Sequence, residues 1–151
     1  MEYQMASLKP IGTIHSPFKT LDQIPIQPVF SKAVGEVEVF KEYERGLKDI
    51  EGFSHIILLY FFHKSEKYPL LITPLLDKKP HGVFATRYHK RPNQIGISTV
   101  KLLQRKRNVL KVEGIDVLDG TPLLDIKPYV PKFDCVENAK IGWLKKLLND
   151  K

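Results

Sequence analysis

Apolar and polar residues alternate with a period of two along several short stretches of this chain, and proline or glycine closes most of them. Gly35–Phe40 (GEVEVF) sets Val37 and Val39 against Glu36 and Glu38, which predicts a strand with one face in water. Ile11–His15, Ile97–Leu103, Val109–Val112 and Leu123–Ile126 read as further strands, the middle two joined around Arg105–Asn108 as a basic hairpin. The most apolar run, Phe53–Phe62, is rich in β-branched and aromatic residues, which predicts a strand buried on both faces, with His63 and Lys64 emerging at its end.

Between these runs the pattern breaks. Ser16–Pro28, with Pro17, Pro25 and Pro28, cannot hold a ladder and reads as an ordered loop, whereas Lys41–Asp49 reads as a helical turn. Only near the end do apolar residues fall at helical spacing. Ile141, Leu144, Leu147 and Leu148, with lysines opposite and Trp143 at the margin, predict an amphipathic helix within Glu137–Asp150 whose stripe packs on the core or in a dimer. Many short strands with few helices predict a mostly β fold: a β-barrel with short helical additions and a C-terminal amphipathic helix.

A length of 151 residues suits one domain, 1–151, able to bury its own core. The one cysteine, Cys135, excludes an internal disulfide and any cysteine-rich zinc site, as expected in a reducing compartment. No apolar run approaches the roughly 20 residues that span a bilayer, and MEYQMASLKPIG lacks the apolar core of a signal peptide. A cytoplasmic protein with no membrane contact is expected. GxGxxG is missing and strands do not alternate with helices, so a Rossmann nucleotide site is not supported. The five histidines show no HxH or HExxH pairing, so no metal site is expected.

Charge changes the picture. From Lys78 to Val112 there are ten basic residues and no Asp or Glu, while the other 14 basic and 17 acidic residues leave the rest of the chain slightly acidic. Such a concentration attracts polyanions, although nearness in sequence need not mean one patch in space. Inside this window, Gly82–Ser98 (GVFATRYHKRPNQIGIS) runs from the short apolar strand expected at Val83–Ala85 into a cationic and aromatic cluster, then back into apolar alternation. It is the central candidate site.

Other candidates are scattered. Pro25, Ile26 and Gln27 place an amide on a stiffened loop. His63 stands where a buried strand leaves its sheet. Asp116 and Asp119 flank a tight Asp-Gly turn, where carboxylates can accept hydrogen bonds from a ligand's hydroxyls or amine; at Asp119 capping and ligand contact fit equally well.

These segments carry a resemblance. PIGTIHSPF (Pro10–Phe18), GLKDIEGFSHIILLYFFH (Gly46–His63), GVFATR with RPNQIG (Gly82–Gly96) and DVLDGTPLLDIKPY (Asp116–Tyr129) together resemble the TsaA-like family, typified by the tRNA (adenine-N6)-methyltransferase TrmO. The resemblance implies a single-sheet, usually dimeric β-barrel that binds S-adenosyl-L-methionine and methylates N6 of threonylcarbamoyladenosine beside the anticodon of threonine tRNA. It implies cofactor contacts at Pro25, Ile26, Gln27, His63, Lys64, Arg87, Ile97, Asp116, Val117, Leu118 and Asp119. The basic window would meet tRNA through Lys90, Arg91, Arg105, Lys106 and Arg107. Tyr88, His89 and Lys90 stand where relatives commonly carry a Ser-Pro-Phe-like insert, and the chain ends where many bacterial relatives continue, so more of the grip on tRNA would fall to a homodimer.

Methyl transfer to an acylated amine also requires a proton to leave. His63, His89 and Tyr60 are the available bases, with water as the alternative acceptor. A module that binds the cofactor or RNA without turnover, and a methyltransferase with another acceptor, are the competing readings.

Overall fold

Inward-facing side chains of six strands meet along one axis and close the sheet on itself. The computed structural model describes residues 7–25, 31–65, 67–75 and 77–148. In chain order the strands are β1 (Gly12–His15), β2 (Val34–Val39), β3 (His55–Phe61), β4 (Leu71–Ile72), β5 (His81–Gly82), β6 (Ile95–Lys106), β7 (Val109–Glu113) and β8 (Thr121–Pro128). Six of them form a closed antiparallel barrel in the order β1-β2-β7-β6-β3-β8, and β4 pairs with β5 in a separate two-stranded ribbon. Closure leaves the main sheet no open edge.

Alternation accounts for the core. Ile14, Val37, Val39, Ile56, Leu58, Tyr60, Val100, Leu110, Val112 and Leu123 are buried inside the barrel, joined by Ile115 and Val117 from the segment after β7. Burying each such side chain contributes about 1.5–3 kcal/mol before chain entropy is counted. Outside, β2 sets Glu36 opposite Lys111 of β7, an opposite-charge pairing that suits a wet face.

Four expectations from the sequence need correction. β3 is not buried on both faces: its residues alternate between buried and half-exposed, because among the described residues no layer covers the barrel's outer surface there. Val83–Ala85 is a 3₁₀ turn rather than a strand, with only Val83 buried. The hairpin tip is Arg107–Asn108, since β6 continues to Lys106 and Arg107 takes the positive φ of 55° that reverses the chain. Finally, the C-terminal helix is short, a 3₁₀ turn at Gly142–Leu144 followed by Lys145–Leu148, because Asn138 and Gly142 both adopt positive φ and interrupt it. Its apolar stripe is not core: Ile141 and Leu148 are exposed. Trp143 anchors this segment instead, stacked on His81 with ring centroids 4.2 Å apart and donating its Nε1–H to the Ala85 carbonyl at 2.9 Å.

Gly96 is the tightest inward position of β6. A Cβ there would lie 2.3 Å from Tyr60 Cε2 and 2.6 Å from Phe62 Cζ, so the missing side chain is what admits both rings. Gly96→Ala should cost about 1–3 kcal/mol by overpacking, read as a lower urea midpoint. Gly46→Ala, where a Cβ would meet nothing within 4 Å, should stay within about 0.5 kcal/mol of wild type.

Candidate active site

The pleat of β6 turns Gly96, Ser98 and Val100 inward, placing a hydroxyl in an otherwise apolar wall. A buried hydroxyl without partners would cost free energy, and Ser98 has two. Its Oγ lies 2.8 Å from the Tyr60 hydroxyl and donates to Asp116 Oδ1 at 2.5 Å. Because the one Ser98 proton goes to the carboxylate, Tyr60 is the donor to Ser98. The chain of bonds therefore runs Tyr60 to Ser98 to Asp116, from the barrel interior to the segment following β7.

Burial sets the electrostatics here. Loss of water raises the Asp116 carboxyl above its ordinary value, opposed by the Ser98 hydrogen bond and the nearby Arg87 charge. Burial, then the Asp116 charge, also raises the Tyr60 phenol, so it stays protonated at neutral pH. Arg87 is exposed, just past the Val83–Ala85 turn, within electrostatic reach of both groups.

An aromatic path leads outward from Tyr60. Its ring meets Phe62 edge to face with centroids 5.4 Å apart, Phe62 meets His89 at 5.9 Å, and Tyr88 leans on His89 at 4.5 Å. His89 Nδ1 is hydrogen-bonded to the Ser65 hydroxyl, and the Gln94 amide donates to the Ser65 carbonyl. Burial first, then Lys90, lowers the His89 pKa; burial and then Lys64 do the same for His63. At neutral pH either ring is uncharged and able to accept a proton.

The residues expected from the sequence fare differently. Arg87 and Asp116 lie within electrostatic reach of one another. Val117 is a core side chain whose carbonyl accepts from the Ser16 hydroxyl at 2.6 Å, and the Leu118 carbonyl closes the turn onto Thr121. Asp119 accepts from the Ser16 backbone N–H at 2.9 Å and from Lys19 Nζ at 2.6 Å, bonds that hold its carboxyl below the ordinary range and bind the first loop to the β8 turn. Ile97 is 45% exposed on the outer face of β6, opposite in phase to Ser98. His63 is half-buried and Lys64 exposed in the turn after β3. Pro25 is half-buried after the Leu21–Gln23 turn, and Ile26 and Gln27 lie outside the described residues.

The basic window is drawn out along the longest strand. Lys90 and Arg91 lie before β6, and Arg105–Arg107 at its far end; Ser98 and Lys106 alone are about 26 Å apart along the strand. Two of these cations are already engaged. Arg91 donates to the Thr86 and Tyr88 carbonyls at 3.0 and 3.1 Å, clamping the loop between them. Arg105 ties the hairpin to Glu51 at 2.6 Å and to the Leu47 carbonyl at 3.1 Å. Lys106, Arg107 and Lys111 line an open hollow of about 370 Å³ beside that tip, together with Glu36. Ser98 was missed in the sequence, although a serine on the inward phase of an apolar strand is a readable signal.

For a carboxyl raised above 3.8, the folded chain holds its proton longer than the unfolded chain, so this group's contribution to stability falls as pH rises past 3.8. Asp116→Asn keeps an acceptor for Ser98 and removes that loss. Its denaturation midpoint should exceed wild type at pH 7 and converge with it below pH 3.8, as measured by urea titrations across pH.

Comparison with known proteins bears on this arrangement. The sequence profile of the tRNA-methyltransferase O N-terminal domain family matches residues 13–135. A relative from Pyrococcus abyssi, named "Probable S-adenosyl-L-methionine-binding protein", is 57% identical over 143 residues, which is 94% of this chain and 78% of that one. A mouse protein named tRNA (adenine(37)-N6)-methyltransferase is 36% identical over 88% of this chain but only 33% of its own length. The crystal structure of TrmO from Pseudomonas aeruginosa superimposes with a TM-score of 0.80 at 41% identity, covering 93% of this chain and 63% of that one, so the chain spans less than two thirds of that structure. With its barrel, its central loops and the DVLD segment all inside the matched region, the chain belongs to the tRNA-methyltransferase O N-terminal domain family.

Proposed function

We propose that this chain is an S-adenosyl-L-methionine-dependent tRNA methyltransferase acting on an adenine N6, its acceptor being threonylcarbamoyladenosine beside the anticodon of threonine tRNA. The observation that carries this reading is the half-buried Asp116 carboxylate, anchored by Ser98 and within electrostatic reach of Arg87, inside the region matched by the family. The donor set fits the cofactor. S-adenosyl-L-methionine offers hydroxyls and an amine that a carboxylate accepts, and a carboxylate that a guanidinium pairs with. Among the described residues, Ser98 is the side chain that donates to Asp116, and the carboxylate can accept further donors from a ligand.

When bound, the cofactor supplies an electrophilic methyl carbon. The protein's task is to hold the attacking nitrogen in line with it, and much of the acceleration can come from that positioning. Arg87 and Asp116 would fix one partner. The proton leaving N6 needs an acceptor, and Tyr60 is a poor one because burial keeps its phenol protonated and its hydroxyl already donates to Ser98. His89 and His63, neutral at working pH, are the better bases.

A homodimer and a cytoplasmic location belong to the same proposal. The dimer is supported by an outward apolar stripe in which Phe61 pairs with Ile95 and Leu59 with Ile97, the first two 39% exposed and Ile97 45%. Among the described residues no helix is long and apolar enough to cross a membrane.

Calorimetric titration should show saturable S-adenosyl-L-methionine binding that Arg87→Ala and Asp116→Ala each weaken about ten-fold or more, with the far-ultraviolet spectrum unchanged. Wild-type affinity in both variants would overturn the residue assignment. The binding-protein name of the Pyrococcus relative favours a second reading, binding without turnover, and an intact pocket that methylates no tRNA would establish it. If His89 is the base, kcat/KM should fall only below pH 6.5, since its pKa is lowered from that value, and His89→Gln should remove that acid limb. An acid limb unchanged in the variant would exclude His89.

A further inference from the structure

Beside the candidate active site, outside the barrel, lies a cleft of about 470 Å³, within the size range of small-ligand sites. One wall is the 67–73 strap that carries β4; the other is the loop bearing Tyr88 and Lys90. Lys67, Tyr68, Leu71, Tyr88 and Lys90 all line it, and among the described residues no carboxylate does.

The exposure of these side chains is unusual for their chemistry. Tyr68 is 52% exposed, Leu71 68% and Tyr88 37%, so two phenol rings and an aliphatic side chain stand in water within one concavity, with lysines beside them. The platform is also held in place. Arg91 clamps the Thr86 and Tyr88 carbonyls, His89 is bonded to Ser65, and the Val83 N–H donates to the Leu70 carbonyl at 2.8 Å. Little ordering remains to be done when a flat ligand enters.

We propose that this cleft is a subsite for an unstacked nucleobase of single-stranded RNA, the base lying against Tyr68 and Tyr88 and its phosphate between Lys67 and Lys90. The charge argues for it, since two ammonium groups line the cleft and, among the described residues, no carboxylate does, which suits a phosphate. The aromatic content argues for a base, because stacking on exposed rings accepts any nucleobase and leaves its edges free. The place argues for it too: Tyr88 touches His89, and His89 touches Phe62, which packs on Tyr60. A nucleotide flanking the acceptor in a splayed loop would therefore sit one aromatic contact outside the methyl-transfer site. The inference rests on the tRNA reading above and adds where the neighbouring nucleotide is held.

The test uses the full chain and an anticodon stem–loop RNA carrying 2-aminopurine in its loop, with S-adenosyl-L-methionine affinity and methyl transfer measured on the same preparations. Wild type should quench the fluorophore on binding. Tyr68→Ala and Tyr88→Ala should each weaken RNA binding by about ten-fold and abolish the quench, while Tyr68→Phe retains both and cofactor affinity does not change. Lys67→Ala and Lys90→Ala should each lower the slope of log affinity against log salt by about one. A wild type that methylates the RNA, with both alanine variants binding and quenching as it does, overturns the subsite while the function stands. Tyrosine-dependent quenching without methyl transfer leaves the subsite and overturns the catalytic reading. A fully duplex RNA competing as well as the stem–loop would reduce the cleft to a phosphate contact and overturn the base subsite.

Discussion

The candidate site depends on the close approach of two rings to a bare backbone. Tyr60 and Phe62 pass over Gly96 at distances that no Cβ would permit. From that contact the Tyr60 hydroxyl reaches inward to Ser98 and so to Asp116, while Phe62 reaches outward to His89. One bond chain ends on a half-buried carboxylate, the other on a histidine that burial keeps neutral. A barrel with a side chain at position 96 would have to move one ring away, and both paths begin at those rings.

Asp116 shows what such an arrangement costs. A carboxylate withdrawn from water works against stability at neutral pH, yet the same withdrawal strengthens every hydrogen bond it offers a ligand. Asp119, three residues on, is treated oppositely. Its oxygens are saturated by Ser16 and Lys19, and its lowered pKa favours the folded state, since ionisation and folding draw on the same bonds. Two carboxylates on one turn thus divide the work: Asp119 holds the loop, and Asp116 is left to accept from a ligand.

Much of this architecture was legible in the sequence, and the failures have physical reasons. The strands β2, β7 and β8 follow from alternation, and the barrel from their number and spacing. The misreading of β3 arose because periodicity in a run of apolar residues cannot say whether a second layer covers the outer face; Phe61, 39% exposed, shows that none does among the described residues. The 3₁₀ turn at Val83–Ala85 is too short for any period to declare itself. Asp116 was legible as a carboxylate beside the Asp-Gly turn and Arg87 within the central cationic cluster, the family resemblance naming both, and the Arg87 charge acts on Asp116. Ile97 came from the same source and points outward, because a residue's phase on a strand is set by the pleat and not by its neighbours in a motif.

The charge window is the instructive case. Ten basic residues without a carboxylate need not share one patch, and β6 passes through their middle, with Lys90 before it and Arg107 just past its far end. Arg91 and Arg105 are then largely spent on carbonyls and a glutamate, while others of the window's cations line two separate concavities: Lys90, with Lys67, the cleft, and Lys106, Arg107 and Lys111, with Glu36, the hollow. Some 26 Å along a strand separates Ser98 from the second of these. On the tRNA reading proposed above, a folded RNA could meet both, each contact releasing counterions and adding to affinity without touching the chemistry. The division follows from the strand itself, because a long β6 draws cations that are neighbours in sequence apart along its length.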